Sequence, residues 1–283
     1  MTGFKKARRL FAVLFATSAL VGVVVAPVSA VTNGELDGEG HPYVGIMVAQ
    51  EADGDPLWRC TGTLMSPTVF MTAGHCTEAP AAHVEIWFST GPLPVGAGYP
   101  AAGAHPCVGV TGYPCTGDVG GTPFTHPQYN ADAFFLFDLG VVVLDSSVVM
   151  GTYGELPALN SLDALKPSSH TTFTSVGYGL QQSFPDAAAW KNSAIRQRMV
   201  AHPHLIQINR GLVGDYSLLL SNNAKTGGTC FGDSGGPNFL GDTNVVAGVT
   251  SFGLNPTCGG TGGVYRVDRA DDLAWLATFG ITP

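Results

Sequence analysis

Short apolar segments of strand length recur along the chain, and glycine or proline residues bound most of them. Segments of about four to eight residues with such boundaries predict β-strands that are at least half buried. We predict strands at Tyr43–Ala49, Thr68–Thr72, Val84–Phe88, Leu139–Leu144, Thr172–Val176, Ser217–Leu220, Val245–Phe252 and Val264–Val267, with a weaker case at Ile195–Val200. The pattern therefore indicates an all-β protein.

Helical periodicity is clear only near the C-terminus. The segment 271–279 (DDLAWLATF) places two acids in a first turn ahead of spaced apolar residues, so we predict a closing helix there. Residues 92–127 are rich in Gly, Pro and Ala and contain Cys107 and Cys115. We interpret this region as a long surface excursion closed by a local disulfide.

The first thirty residues have the pattern of a signal peptide. Four basic residues precede an uncharged apolar run from Leu10 to Val25, and the small residues Val28, Ser29 and Ala30 follow Pro27. An uncleaved membrane anchor is the alternative, but a spanning helix usually needs about 20 apolar residues. We predict a signal peptide at 1–30 and a secreted, soluble mature domain at 31–283.

Charge and composition narrow the class of protein. Cleavage after Ala30 would remove four cations and no acids, which takes the formal charge from −8 to −12. Such a surface repels phosphate backbones and anionic lipid, so we expect no nucleic acid partner and no stable membrane association. Gly (38) and Pro (19) are abundant, which fits many short strands and tight turns in one domain or in two closely packed halves.

Six cysteines in an exported chain predict three disulfides, for which parity alone allows fifteen pairings. The sequence contains no C-x-x-C pair and no H-E-x-x-H motif. We interpret His202-Pro203-His204 as an exposed loop and not as a ligand pair, because a proline separates the two imidazoles. We therefore expect no metal and no cofactor.

The segment TCFGDSGGP (229–237) places Ser234 among glycines and beside Asp233. A serine hydroxyl becomes a useful nucleophile when an oriented histidine removes its proton. Residues 232–236 also match G-x-S-x-G, the serine turn of α/β-hydrolases, in which the histidine follows the serine. All eight histidines precede Ser234, so the α/β-hydrolase interpretation fails.

The base and the acid come from two other segments. His75 ends the apolar segment VFMTAGHC beside Cys76, whose disulfide would hold the backbone next to the imidazole. The alternative is that the Cys76 disulfide only stabilises the fold, and that His75 lies next to it without a catalytic role. Asp138 lies within the apolar run 134–144, where an ionised carboxylate needs hydrogen-bond partners. A buried aspartate that only satisfies backbone amides is the alternative there.

Together TAGHC, DLGVVVL and GDSGGP, in the order His, Asp, Ser, resemble the chymotrypsin/trypsin-like serine proteases over nearly all of residues 31–283. The resemblance implies two packed antiparallel six-stranded β-barrels, divided near 150–170, with a C-terminal α-helix and the active site in the cleft between the barrels. It implies that His75 is the general base and acid, that Asp138 orients it, and that Ser234 is the nucleophile.

The same resemblance implies further roles. The amides of Gly232 and Ser234 would form the oxyanion hole, and Asp233 would turn inward to pair with the α-amine of Val31. Signal peptidase would then itself create that amine by cutting after Ala30. The implied disulfides are Cys60–Cys76 and Cys230–Cys258, which leaves Cys107–Cys115 as a local bridge.

The resemblance also locates a substrate pocket, with Gly228 at its floor and Gly253 and Gly263 in its walls. Ser251, Phe252 and Gly253 would form the edge that pairs with the substrate backbone, and Ser251 would also hydrogen-bond the triad acid. These positions contain no carboxylate, so a buried cationic side chain would lack a partner. We therefore expect large apolar or aromatic residues before the scissile bond.

The predicted activity is that of a serine endopeptidase, expected to be a monomer, acting on protein or peptide substrates. Two alternatives remain open. A catalytically silent, protease-shaped binding module would have the same fold, although such relatives usually lack a triad residue or the oxyanion glycine. An exported serine esterase on the same scaffold would use every one of these catalytic residues.

Overall fold

The structure is a computed structural model that describes residues 31–133, 135–181 and 195–283; the predicted signal peptide lies outside these ranges. The strands are β1 Glu35–Leu36, β2 Val44–Gln50, β3 Pro56–Ser66, β4 Val69–Thr72, β5 His83–Trp87, β6 Val119–Thr125, β7 Gly140–Leu144, β8 Ser168–Gly177, β9 Met199–Ala201, β10 His204–Ile208, β11 Ser217–Asn222, β12 Pro237–Leu240, β13 Val246–Gly253 and β14 Gly260–Arg266. An α-helix spans Ala270–Ala277, and short 3-10 helices span Gly74–Cys76, Ala131–Ala133, Ser161–Ala164 and Gly211–Val213.

The first half of the described chain forms a closed antiparallel barrel. Its strand order is β2-β3-β4-β7-β6-β5, and β2 pairs with β5 to close it. Side chains such as Met47, Leu64, Phe70 and Val141 are fully buried at its centre. Closure leaves no free strand edge, which suits a protein built from short strands.

The second half forms another closed barrel. Strands β8-β10-β11-β14-β13-β12 follow one another, and the pairing of β12 with β8 closes the ring, with Asn238 opposite Ser175. Strands β9 and β1 extend the sheet beyond β8. One apolar cluster continues from the first barrel into the second through residues such as Val176, Phe239 and Tyr265. The prediction of two packed six-stranded antiparallel barrels is confirmed.

The eight firmly predicted strands all coincide with observed strands, within a few residues at their ends. The weaker prediction at Ile195–Val200 holds only from Met199, where β9 begins. The predicted excursion 92–127 is wrong at its end, because 119–125 form β6 of the first barrel. His204 opens β10, so interpreting 202–204 wholly as a loop was also wrong.

Five observed strands were not predicted (β1, β3, β6, β10 and β12), and two of them have sequences that are typical of turns. Strand β3 (PLWRCTGTLMS) begins with proline and carries Arg, Cys and Thr, yet seven of its eleven residues are buried. Strand β6 (VGGTPFT) contains two glycines and a proline. Such residues are typical of turns, and pairing with neighbouring strands overrides that preference.

The observed C-terminal helix, Ala270–Ala277, lies within one or two residues of its prediction. It packs against the barrels through the fully buried Leu276 and Asp272. The Tyr265 hydroxyl on β14 lies 3.0 Å from both Asp272 oxygens and donates to this carboxylate. In the described residues, no helix is long and apolar enough to cross a membrane.

Three disulfides link Cys60 to Cys76, Cys107 to Cys115 and Cys230 to Cys258, which are the pairings that the resemblance implied. The first joins β3 to the 3-10 turn Gly74–Cys76. The third joins the segment before Ser234 to the loop after β13. Two of the three bridges therefore hold loops that carry candidate site residues.

Candidate active site

His75 lies in a short turn whose backbone is held in place by its neighbours. Strand β4 ends at Thr72, and the 3-10 turn Gly74–Cys76 follows directly. The Cys60–Cys76 disulfide ties this turn to β3. The Trp58 indole Nε1 also donates a 3.0 Å hydrogen bond to the Cys76 carbonyl. The backbone at His75 is thus held from the strand, the disulfide and the indole.

Asp138 is completely buried just before β7, and its carboxylate faces the His75 ring. The His75 Nδ1 atom lies 2.9 Å from Oδ2 and 3.1 Å from Oδ1 of Asp138. The His75 backbone N–H donates to Oδ1 at 2.9 Å, and the Ser251 hydroxyl donates to Oδ2 at 2.5 Å. The buried carboxylate is therefore satisfied by three donors from two other segments.

This arrangement determines the protonation state of the imidazole. Because Nδ1 faces the carboxylate, it carries the proton, and Nε2 is left with the lone pair that accepts a proton. Burial lowers the pKa of His75, but the negative charge of Asp138 and its hydrogen bond outweigh burial and leave that pKa above its usual value. A quarter (25%) of the His75 side chain remains exposed, so the ring is open to a substrate.

The loop carrying Ser234 depends on two glycines with positive φ, Gly232 at 96° and Gly235 at 76°. A methyl group on Gly235 would lie 2.6 Å from the Thr61 carbonyl oxygen and 2.7 Å from the Ala73 nitrogen. Only glycine permits this close approach, since a side chain would overlap the first barrel. The Thr61 N–H donates to the Ser234 carbonyl at 2.8 Å. Ser234 is thereby held against β3, and Gly235 lies against the end of β4, the strand that leads to His75.

Asp233, the neighbour of Ser234, turns into the interior and is fully buried. Its carboxylate accepts hydrogen bonds from the Gly179 N–H at 2.7 Å and the Cys230 N–H at 2.8 Å. Burial raises the pKa of Asp233 to about 7, although the two amides and the nearby Arg59 charge oppose that rise. An additional cation would therefore strongly favour the ionised form.

The segment at Val31 enters the second barrel. Val31 is fully buried against Met199 and Ala201. The Thr32 hydroxyl lies 2.9 Å from Asn222 Oδ1 and 3.1 Å from the Gly228 carbonyl, and the Gly228 N–H donates to the Thr32 carbonyl at 3.1 Å. Gly228 lies six residues before Ser234, so the segment beginning at Val31 reaches the base of the Ser234 loop.

A cavity of about 400 Å³ opens beside Ser234. Ser251, Phe252 and Gly253, to which the resemblance gives a role in the substrate pocket, line this cavity. The lining also includes residues that were not singled out from the sequence: Thr229, Phe231, Leu254, Asn255, Pro256 and Thr261. Its lining contains no charged residue among those the structure describes. The Asn222 side chain packs directly against Gly228, and the Phe252 ring covers Gly263. Both glycines are buried, and neither lines this cavity.

Two groups of potential metal ligands lie close together in the described chain. One consists of Cys60, Cys76 and His75, but both sulfurs belong to the disulfide. The other consists of Asp53, Asp55 and His105 at the surface, where His105 Nδ1 lies 3.6 and 3.5 Å from the two carboxylates. Exposed acidic groups are common without a metal ion, so proximity alone does not make the second cluster a metal site.

Sequence reasoning missed residues that support the site from outside the three motifs. The Tyr129 ring packs on Gly74, next to His75, and Trp58 holds the Cys76 carbonyl. The Thr61 hydroxyl donates to the Gly232 carbonyl at 2.9 Å, which braces the Ser234 loop. Trp58 and Thr61 precede and follow the disulfide cysteine at 60, and this proximity is the signal that could have found them.

Known proteins resemble this chain in sequence and in fold. The trypsin family profile matches residues 37–273, so the chain belongs to the trypsin family. Brachyurin of Leptuca pugilator is 30% identical over 238 residues, covering 81% of this chain and 91% of brachyurin. Spermosin of Halocynthia roretzi is 23% identical over 266 residues, covering 91% of this chain; the chain spans 63% of the length of spermosin.

Solved structures share the fold. HL collagenase superposes with a TM-score of 0.64 at 21% identity, covering 89% of this chain and all of that protein. Human heparin binding protein superposes with a TM-score of 0.59 at 18% identity, covering 87% of this chain and 95% of that protein. At these identities the likeness concerns the fold alone.

Replacing Asp138 with Asn tests the role of its charge. The same substitution in other triads lowers kcat by about 10⁴-fold, because the imidazole adopts the wrong tautomer. We expect a comparable loss for Asp138→Asn. The acid limb of the pH–kcat/KM profile should also move to lower pH, since the negative charge that raises the His75 pKa is gone.

Asp145→Asn is the matched control, because Asp145 ends the same segment but is exposed. We expect its activity to stay within about twofold of that of the original protein. An Asp138→Asn protein that retains more than a tenth of the activity would contradict the assigned role.

Proposed function

We propose that this protein is a secreted serine endopeptidase that hydrolyses peptide bonds through an acyl-enzyme on Ser234. The observation that carries the proposal is the arrangement of three segments. A buried Asp138 holds the His75 ring, and the Ser234 loop packs on the strand that leads to that ring. Three disulfides suit an oxidising, extracellular location.

In the first half-reaction, the Ser234 hydroxyl oxygen attacks the carbonyl carbon while its proton passes to His75 Nε2. The carbonyl electron pair moves to the oxygen, which becomes an anion. When the tetrahedral intermediate collapses, the peptide C–N bond breaks and His75 returns the proton to the leaving amine. Water then repeats these steps on the ester, releasing the acid and regenerating the serine.

The anion requires donors that are in place before the reaction. We assign this role to the backbone N–H groups of Gly232 and Ser234. The left-handed conformation of Gly232 and the Thr61 bond to its carbonyl support the assignment. Loss of one such donor typically costs about 10²- to 10³-fold in kcat, because the donors act in a site from which water is excluded.

Labelling with a fluorophosphonate tests the catalytic assignment. We expect the protein to react with one equivalent of the probe at Ser234 and to lose activity in proportion. Ser234→Ala should abolish labelling, and Ser234→Ala or His75→Ala should each lower kcat by about a millionfold if the residues act as a unit. Ser147→Ala, which changes an exposed serine outside the site, should behave as the original protein does.

The same experiment separates the enzyme from a binding module. Human heparin binding protein, named for a binding activity, shares this fold, so the fold alone does not require catalysis. A protein that neither labels nor cleaves peptides would favour a binding role. A protein that labels and cleaves esters but no peptide would favour the esterase.

We further propose a preference for large apolar or aromatic residues before the scissile bond. The uncharged lining and the volume of the cavity beside Ser234 support it. In matched peptides with Phe, Leu or Arg at this position, we expect kcat/KM for Phe or Leu to exceed that for Arg by at least about tenfold, since an unpaired buried cation is costly. A clear preference for Arg would overturn the proposal.

We propose that the new α-amine of Val31 activates the site by pairing with Asp233. Two observations support this pairing. Val31 is buried, and burial raises the pKa of Asp233 to about 7 in the chain that has not been cut before Val31. A paired α-ammonium lowers the carboxylate pKa, and its own pKa rises above the usual value of about 8. The interaction is then fully present at neutral pH and is lost as alkali removes the amine proton.

Retaining Ala30 before Val31 should therefore lower kcat/KM by at least about tenfold, because a displaced amine cannot reach the carboxylate. The matched control is the protein beginning at Val31, whose activity should fall as alkaline pH deprotonates the amine. N-terminal sequencing of the secreted form identifies the cut. Full activity of the extended protein would refute the proposed activation.

A further inference from the structure

Arg198 lies just before β9 and has no exposed surface, and its guanidinium joins the N-terminal segment to both barrels. Its Nε donates to Asp37 Oδ2 at 2.8 Å, and its Nη2 donates to the Gly38 carbonyl at 2.8 Å. Its Nη1 donates to the carbonyls of Val44 at 3.2 Å and Phe88 at 3.3 Å. Val44 opens β2 and Phe88 follows β5, so one buried cation holds the N-terminal segment against the first barrel and β9.

Asp37 is the charged partner of Arg198. Its side chain is 1% exposed, and its backbone N–H donates to the Arg198 carbonyl at 3.2 Å. The His41 N–H donates to Asp37 Oδ2 at 3.0 Å, and His41 Nδ1 lies 2.5 Å from Oδ1. Burial raises the pKa of Asp37, but the hydrogen bonds and charges of His41 and Arg198 outweigh burial and leave that pKa below its usual value. The pair is therefore ionised at neutral pH.

The strand that precedes Asp37 is short and exposed. Strand β1 consists of Glu35 and Leu36 alone, both exposed, and it pairs with Val200 and Met199 of β9. Backbone hydrogen bonds in contact with water contribute little net stability. The buried Asp37–Arg198 pair is thus the charged anchor that fixes this part of the chain to β9.

The same guanidinium lies beside the segment that holds Asp233. Arg198 Nη1 is 3.5 Å from the Tyr178 hydroxyl oxygen. The next residue, Gly179, donates its N–H to Asp233 Oδ1 at 2.7 Å, and a methyl group on Gly179 would lie 2.5 Å from the carboxyl carbon. Val31 packs on Met199, the residue after Arg198. Arg198 therefore adjoins the residues that surround both members of the proposed amine–carboxylate pair.

We propose that the Asp37–Arg198 pair positions the N-terminal segment so that the new α-amine of Val31 meets Asp233. The proposal rests on the proposed activation by that amine. With the pair intact, residues 31–37 span from the amine to its anchor; without it, the next anchor is Val44 in β2. The probability of closing a loop falls roughly as the three-halves power of its length, so loss of the pair should weaken placement of the amine by about threefold or more.

Placement of the amine determines where activity is lost at alkaline pH. Only the ammonium form pairs with Asp233, so placement raises the apparent pKa of the amine above its usual value of about 8. Activity is then present below that raised pKa and is lost as the pH rises through it. A placement that is about threefold weaker lowers the midpoint of this loss by about half a pH unit, since one unit corresponds to a factor of ten.

Other charged and titratable groups face these residues. Arg59 is the cation near Asp233, and a guanidinium does not deprotonate in proteins. His202 and Glu35 lie 3.6 Å apart at the exposed side of β1. Next to Asp37, burial, the Asp37 charge and the Glu155 charge raise the pKa of Tyr43 to about 12, and burial likewise raises the pKa of Tyr178. An activity loss below about pH 10 therefore comes from neither tyrosine.

A cycle of four proteins provides the test. Asp37 or Asp37→Asn is combined with each of two N-termini, one beginning at Val31 and one retaining Ala30, and kcat/KM is measured against pH. In the protein beginning at Val31, Asp37→Asn should lower the alkaline midpoint by at least about half a unit. One unit above the original midpoint, kcat/KM should then fall by about threefold. With Ala30 retained the amine is displaced, so Asp37→Asn should change kcat/KM by less than about 1.5-fold.

Asp268→Asn is the matched control. It breaks a comparable pair, because Asp268 lies 2.7 Å from Arg266 and both side chains are fully buried. Arg266 contacts Asn209 and Asp163 and not the N-terminal segment. We expect Asp268→Asn to lower the Tm as Asp37→Asn does, and to leave the alkaline midpoint within about 0.1 unit.

His41→Ala keeps the test decisive if Asp37→Asn does not fold. This variant removes one hydrogen-bond partner of Asp37 and leaves the contact with Arg198 intact. We expect its midpoint to fall by about 0.3 unit, in the same direction as that of Asp37→Asn. An unchanged midpoint in the folded variants, or an equal shift in Asp268→Asn, would overturn the proposal.

The two proteins with Asp37 intact separate this proposal from the one beneath it. If the protein that retains Ala30 is as active as the one beginning at Val31, both the activation and the positioning role are refuted. If only the protein beginning at Val31 is fully active, but Asp37→Asn lowers kcat/KM equally in both, the positioning role alone is refuted. Fluorophosphonate titration at Ser234 counts the active molecules in each preparation and tests the catalytic assignment independently.

Discussion

The structure depends on one buried carboxylate. Asp138 has no exposed surface, and an ionised group in such a place is stable only with several hydrogen bonds. Its donors come from the turn after β4 and, through Ser251, from β13 of the other barrel. Satisfying this single charge therefore requires both barrels in their observed positions. The same contacts orient the His75 ring and raise its pKa.

Close backbone packing holds the Ser234 loop against the first barrel. Gly235 lies so near Thr61 and Ala73 that a methyl group would overlap them, and Thr61 bonds the loop at both Gly232 and Ser234. The serine loop of the second barrel is thus fitted directly onto strands of the first. The segments that carry His75, Asp138 and Ser234 are distant in sequence, and contacts between the two barrels hold each of them in place.

Other aspartates besides Asp138 are buried, and two of them have raised pKa values. Asp233 and Asp272 are both fully buried, and burial raises their pKa values to about 7 and about 8. Asp272 is bonded by the Tyr265 hydroxyl and joins the C-terminal helix to the second barrel. Asp233 lies behind the serine, where burial makes its charge state sensitive to any added cation. The proposed pairing with the Val31 amine requires such sensitivity.

The sequence by itself determined the class of fold, most strands, the closing helix and the candidate residues His75, Asp138 and Ser234. It could do so because apolar periodicity and short motifs are local properties. It did not reveal five strands (β1, β3, β6, β10 and β12), and in β3 and β6 the polar, glycine and proline residues are typical of turns although both segments pair with neighbouring strands. Only the tertiary structure shows that Gly228 and Gly263 are buried outside the lining of the cavity beside Ser234, and that Arg59 and Arg196 line one second cavity. These placements depend on contacts between residues far apart in the chain, which no local pattern encodes.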